Sequence, residues 1–222
     1  YAKKTDGAAY QHCPILGAEA ICNVAVASCY SVNDRYIPLE VKFYKTESEF
    51  LMGKNDPDFK SKLELAKELI ADAVEKKIPF SYILFDAWYP ASDVLTFIHE
   101  RELKFISEVK SDRKVYFRNP EARKSYFMQQ DELVKLIKKH LWHKVKSFTH
   151  RGELISVYAF TSRLKSTDFP VKVFVVFNNA CREVRTIISN DINLSEKKAV
   201  ETYLERWAIE RIYRELKDSF CF

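Results

Sequence analysis

Four residues near the end of the chain have types suited to phosphate chemistry: Tyr203, Arg206, Glu210 and Lys217, with two, three and six residues between them. On a continuous α-helix advancing about 100° per residue, they fall within an arc of roughly 60°. One face of such a helix presents a phenol, two cations and a carboxylate. Far upstream, the apolar run FSYILFD ends on Asp86. In an α/β sheet, residues at the carboxyl ends of strands face the crevice where ligands bind. The competing reading is that Asp86 caps the helix that follows. Trp88 suits stacking on an unpaired base, because an aromatic face accepts any base, or alternatively core packing.

Other chemistries are poorly served. Cys13, Cys22, Cys29, Cys181 and Cys221 are odd in number and never spaced as CxxC. That pattern favours reduced thiols over a disulfide framework or a zinc site. The five histidines form no HExxH-like pair, which argues against transition-metal chemistry. The net charge of +5 is unevenly placed: thirteen basic residues face five acidic ones between Lys104 and Arg151. An excess so concentrated points to a polyanion, with a solvated surface as the bland alternative.

The elements that must position these groups follow from patterning. With 47% apolar and 30% charged residues, 222 residues suit one globular domain spanning 1–222. Residues 1 to 17 are expected to be irregular. The stretch from Glu19 to Tyr30 suits a strand buried on both sides, and Tyr36 to Lys45 alternates as its hairpin partner. Asp56-Pro57 predicts the start of a helix running to about Lys77. Phe80 to Asp86 is predicted as a strand, Ser92 to Glu102 as a helix, and Lys104 to Lys110 as another strand. Strand–helix–strand order implies right-handed crossovers and a mixed sheet covered on both faces. From Arg118 to Asn190, the segments LISVYAFTSRL, VKVFVVFNN and REVRTIISND alternate without intervening helices, which predicts an antiparallel β-rich insertion. Ser195 to Phe220 is predicted as one long amphipathic helix. No apolar run is long enough to span a membrane, and Tyr1 opens on AKKTDG with no charged-then-apolar leader. No membrane partner is therefore expected, and the expected location is cytoplasmic, with nucleoid association when bound to DNA.

Together, the Tyr203/Arg206/Glu210/Lys217 spacing and Asp86 in FDAWYP resemble the DDE transposases of the insertion-sequence type that carry a YREK signature. The resemblance implies a ribonuclease-H-like mixed sheet flanked by helices, with a β-rich insertion at about 118–190 before the final helix. Asp86 would be the second catalytic Asp and Glu210 the catalytic Glu, both as metal ligands. Two Mg²⁺ (or Mn²⁺) ions suit this role, since hard cations take carboxylates and can activate the attacking oxygen and stabilise the leaving one. Tyr203, Arg206 and Lys217 would contact phosphates beside the scissile bond. Trp88, Arg113 and Lys114 would add DNA contacts, with Arg118, Arg123 and Lys124 of the same basic stretch. The implied partners are double-stranded DNA, as transposon ends and target, and a second copy as a dimer on DNA in the intact enzyme.

The family uses three carboxylates, the first at the end of an opening strand. Asp6 follows polar residues rather than an apolar strand, so the expectation is that the first strand and first Asp precede Tyr1 and that this chain alone is inactive. The alternatives are a non-catalytic DNA-binding remnant of a transposase and a ribonuclease-H-like nuclease without strand transfer.

Overall fold

The computed structural model describes residues 8–13, 17–33, 35–120, 123–165, 167–178 and 183–220, without the side chains of Cys13 and of 216–220. Asp6 lies outside this set. The chain divides into two compact units, 1–79 with 208–222, and 80–207.

In the first unit, β1 (Ala9–Cys13) pairs antiparallel with β2 (Ala18–Cys22), so the stretch expected to be irregular contains a strand. A second hairpin joins β3 (Val24–Val32) to β4 (Arg35–Tyr44), with a bulge at Ser28/Cys29. The expectation of burial on both faces fails here, since Val26 alone in β3 is fully buried. Among the described residues β3 and β4 pair only with each other, and α1 (Lys62–Glu75) and α5 (Ala208–Phe220) pack against them. Helix α1 begins later than Asp56-Pro57 predicted. The effective N-terminal signal is a capping box: Ser61 Oγ accepts from the Glu64 N–H, and Glu64 returns a bond to the Ser61 N–H. Asp56 instead closes a local turn through the Asp58 N–H. Lys42 on β4 ties the hairpin to α1 through Glu68 and Asp72, at 3.2 and 2.9 Å.

The second unit is built on a six-stranded mixed sheet in the order β5-β6-β12-β11-β10-β9. Its parallel pair, β5 (Ile83–Phe85) and β6 (Phe105–Val109), is connected by α2 (Ser92–Glu100), as the strand–helix–strand pattern predicts. The β-rich stretch supplies a separate hairpin, β7 (Val115–Arg118) with β8 (Ser125–Met128), and then four antiparallel strands of the sheet. These are β9 (Lys146–His150), β10 (Glu153–Ser162), β11 (Val171–Asn178) and β12 (Glu183–Ser189). β11 lies inside the sheet, and Val173 to Phe177 are all buried, which is why its sequence is a nearly unbroken apolar run. The β9–β10 turn uses Arg151 and Gly152, both at positive φ, the conformation a two-residue hairpin loop requires.

Two expectations are corrected in this unit. The stretch 118–190 does contain a helix: α3 (Gln130–Leu136) continues into a π turn at Ile137–Leu141 and a 3₁₀ turn at Trp142–Lys144. It buries Leu133, Leu136, Ile137 and Leu141, the spacing of an amphipathic helix. The long terminal helix is also not continuous. α4 (Glu196–Leu204) ends in a 3₁₀ turn at Glu205–Trp207, and α5 starts afterwards. Tyr203 and Arg206 thus belong to the second unit, and Glu210 and Lys217 to the first. Helix α4 packs on β6, β9 and β10, with Ala199, Val200 and Tyr203 in the core beside Ile106, Val157 and Phe174. Among the described residues, no helix is long and apolar enough to cross a membrane.

Candidate active-site loop after strand β5

Strand β5 is short and ends at buried Phe85, which stacks on Phe105 of β6. The next residue, Asp86, is half-buried at the carboxyl end of the strand, as its sequence position predicts. It does not cap α2, whose N-cap is Ala91 without a side-chain bond. Asp86 Oδ1 instead accepts the Trp88 N–H at 2.9 Å, and its carbonyl accepts the Tyr89 N–H at 3.3 Å. This Asx-type turn is the local reason the loop reverses here. Among the described residues, that is the one hydrogen bond of the Asp86 side chain, and Oδ2 makes none.

Two side chains fasten the loop to the sheet. Ser107 Oγ, fully buried on β6, lies 3.1 Å from the Phe85 carbonyl and 3.4 Å from that of Asp86, and its single proton is shared with the Glu108 carbonyl at 2.8 Å. At the far end, Arg113 Nη1 donates to the Pro90 carbonyl at 2.7 Å. Arg113 is half-buried, and burial pulls its pKa down, with Asp112 acting in the opposite sense. Its Nη2 is buried without a hydrogen-bond partner among the described residues. Packed against the loop, this guanidinium is turned inward. Lys114 beside it is exposed, in keeping with a role at the surface.

Trp88 stands 74% exposed, which removes the core-packing reading. The Nζ of Lys110, just past the end of β6, lies 4.1 Å from its ring centroid, within cation–π range. Tyr203 shows the opposite. Only 2% exposed, it donates its hydroxyl to Glu108 Oε2 at 3.0 Å. Burial, then the Glu108 charge, pushes its pKa up. Arg185 Nη1 approaches the same carboxylate at 3.6 Å. As folded, Tyr203 is a core residue and not an exposed donor to phosphate. The cause is that α4 turns this edge toward the sheet.

Arg206 lies in the 3₁₀ turn that packs on β5, with its guanidinium 5.1 Å from the Trp207 ring and 5.7 Å from the Tyr203 ring. Glu210 is half-buried on α5, in the other unit. Lys217 is also on α5, with its side chain outside the described residues. Ser107, Glu108 and Lys110 were not singled out from sequence. The signal was present in FISEVK, where two consecutive polar residues interrupt a buried strand.

As a ligand for a hard cation, Asp86 fits in part, because one oxygen carries no hydrogen bond from the described residues. Among the described residues, no three His, Cys, Asp or Glu side chains come together as a complete metal cluster.

Residues 1–131 match the model of the family described as DDE superfamily endonuclease. The chain belongs to that superfamily, and it is a catalytic domain of the nuclease and transposase type whose substrate class is DNA. The match includes Asp86, Trp88, Arg113 and Lys114, whereas the signature residues lie beyond it. No curated protein matches the chain.

Proposed function

We propose that the chain is the catalytic domain of an insertion-sequence transposase, which cleaves element ends and transfers the strands. The observation carrying this reading is Asp86, at a strand's carboxyl end within the stretch matched to DDE endonucleases, with one carboxylate oxygen that no described residue engages. Asp86 is a metal ligand, and Glu210 on α5 has the same role by its place in the signature. When bound, Mg²⁺ or Mn²⁺ would activate the attacking oxygen and stabilise the leaving one in an in-line phosphoryl transfer. The chain's own residues bind and orient DNA. Trp88 offers a face for an unpaired base, Lys114 and Arg206 meet phosphates, and Lys217 does so by its place in the signature. The remaining basic side chains between Lys104 and Arg151 hold the backbone without regard to sequence. The protein works in the cytoplasm at the nucleoid, as a dimer on DNA.

A second reading, DNA binding without cleavage, rests on that basic stretch alone. Divalent-metal-dependent nicking of DNA carrying element ends separates the two. Nicking by the chain that disappears in Asp86→Asn, with DNA binding retained, supports the enzyme. DNA binding with no nicking and no Mn²⁺ binding that depends on Asp86 supports the second reading, whereas Mn²⁺ binding lost in Asp86→Asn keeps the first even where the chain alone does not nick.

A further inference from the structure

Arg113 has the geometry of a residue that serves another residue. Its guanidinium is half-buried, holds the Pro90 carbonyl at 2.7 Å, and keeps Nη2 away from solvent without a partner among the described residues. A buried donor left unpaired costs stability, so this arrangement is not an optimum for folding alone. What it does achieve is to fix the far end of the five-residue loop that begins at Asp86. The near end is fixed by Ser107 and by the turn that Asp86 makes with Trp88.

Strand β5 cannot do this work itself, being three residues long and, among the described residues, paired on one side only. We infer that Arg113 is a positioning residue for Asp86, acting through the Pro90 carbonyl to hold the loop in the one conformation that leaves Asp86 Oδ2 available. This rests on the reading of Asp86 as a metal ligand only for its consequence, since the restraint itself exists in the metal-free protein.

The test compares the full chain with Arg113→Lys, which keeps a donor that can reach Pro90, and with Arg113→Met and Arg113→Gln. Hydrogen exchange is measured on peptides covering 86–91 without metal, and Mn²⁺ binding is followed through the free-ion paramagnetic signal. In the Met and Gln variants, exchange in 86–91 is expected to speed up on the order of tenfold, while protection of the β10–β11 strands is unchanged. Mn²⁺ affinity is expected to fall on the order of tenfold, as for other residues that orient a metal ligand, and Arg113→Lys should recover most of both effects. Unchanged exchange at 86–91 in a folded Met or Gln variant would overturn the positioning role, as would a uniform rise across the sheet. If the wild-type chain binds no Mn²⁺, the metal reading of Asp86 fails, and the exchange comparison still decides the role of Arg113.

Discussion

The Tyr203 hydroxyl donates to Glu108 at 3.0 Å, joining α4 to the carboxyl end of β6 within the core of the six-stranded sheet. The first residue of the signature is thus a fastening between helix and sheet. Tyr203→Phe should cost about 1 kcal/mol, the usual net worth of one hydrogen bond, and Tyr203→Ala about 3–5 kcal/mol through the cavity it leaves. Chemical denaturation of the two variants checks this. If Phe is as disruptive as Ala, the ring packing assigned to Tyr203 is wrong.

A second fastening joins β5, β6 and β12 at their opposite ends. Asp191 Oδ2 accepts from Tyr82 and from Lys104, each at 2.8 Å. Burial alone would raise the Asp191 pKa, but the bonds from Lys104, Tyr82 and the Asn193 N–H outweigh it, and the carboxyl is held low. Burial, then the bond to Asp191, pushes Tyr82 up to about 12. The signs follow from linkage. The Asp191 contribution is present above the unfolded carboxyl value of about 4 and fades as pH falls through the lower folded value. The Tyr82 contribution is complete below about pH 10 and fades as pH rises toward about 12. Denaturation midpoints measured across pH should therefore fall at both extremes, and Asp191→Asn should flatten the acidic arm and only reduce the alkaline one, whose larger cause is the burial of Tyr82.

Trp88 provides a separable prediction because it is exposed and its backbone, rather than its ring, makes the turn with Asp86. Trp88→Ala should leave the unfolding midpoint nearly unchanged. It should weaken binding to DNA with an unpaired end about tenfold or more, given roughly 1–3 kcal/mol per stacked base, and affect fully paired DNA less. Fluorescence anisotropy on the two substrates reads the difference, and equal losses on both would remove the stacking role.

Gly152 adopts φ 83° in the β9–β10 turn, and a Cβ there would meet no neighbouring atom within 4 Å. The cost of Gly152→Ala is thus conformational, about 1 kcal/mol, because an L side chain rarely adopts that backbone. Thermal unfolding of the variant measures it, and an unchanged midpoint would count against the turn geometry.

Where local pattern and final environment agree, the sequence was a good guide. Tyr36 to Lys45 alternates because one face of β4 meets helices, and the observed strand is Arg35–Tyr44. Asp86 was legible because a carboxylate that closes a short apolar run marks the point where a buried strand leaves the sheet. Helix α3 was hidden among strands, although QQDELVKLIKKHL carries a helical stripe. The expectation of one continuous terminal helix missed the 3₁₀ turn at Glu205–Trp207, which no residue-type signal in LERWAIE marks. Ser107 and Arg113 act through loop carbonyls, and no residue-type pattern reports which carbonyl a side chain will meet.

The brevity of β5 also has a thermal meaning. Three residues paired along one side give Asp86 little support from the sheet, so its order rests on a few side-chain bonds, from Ser107 and Arg113 and within its own turn. Warming should loosen this corner while the buried strands around Phe174 stay intact, so the loop would lose its shape at a temperature where the protein as a whole still counts as native.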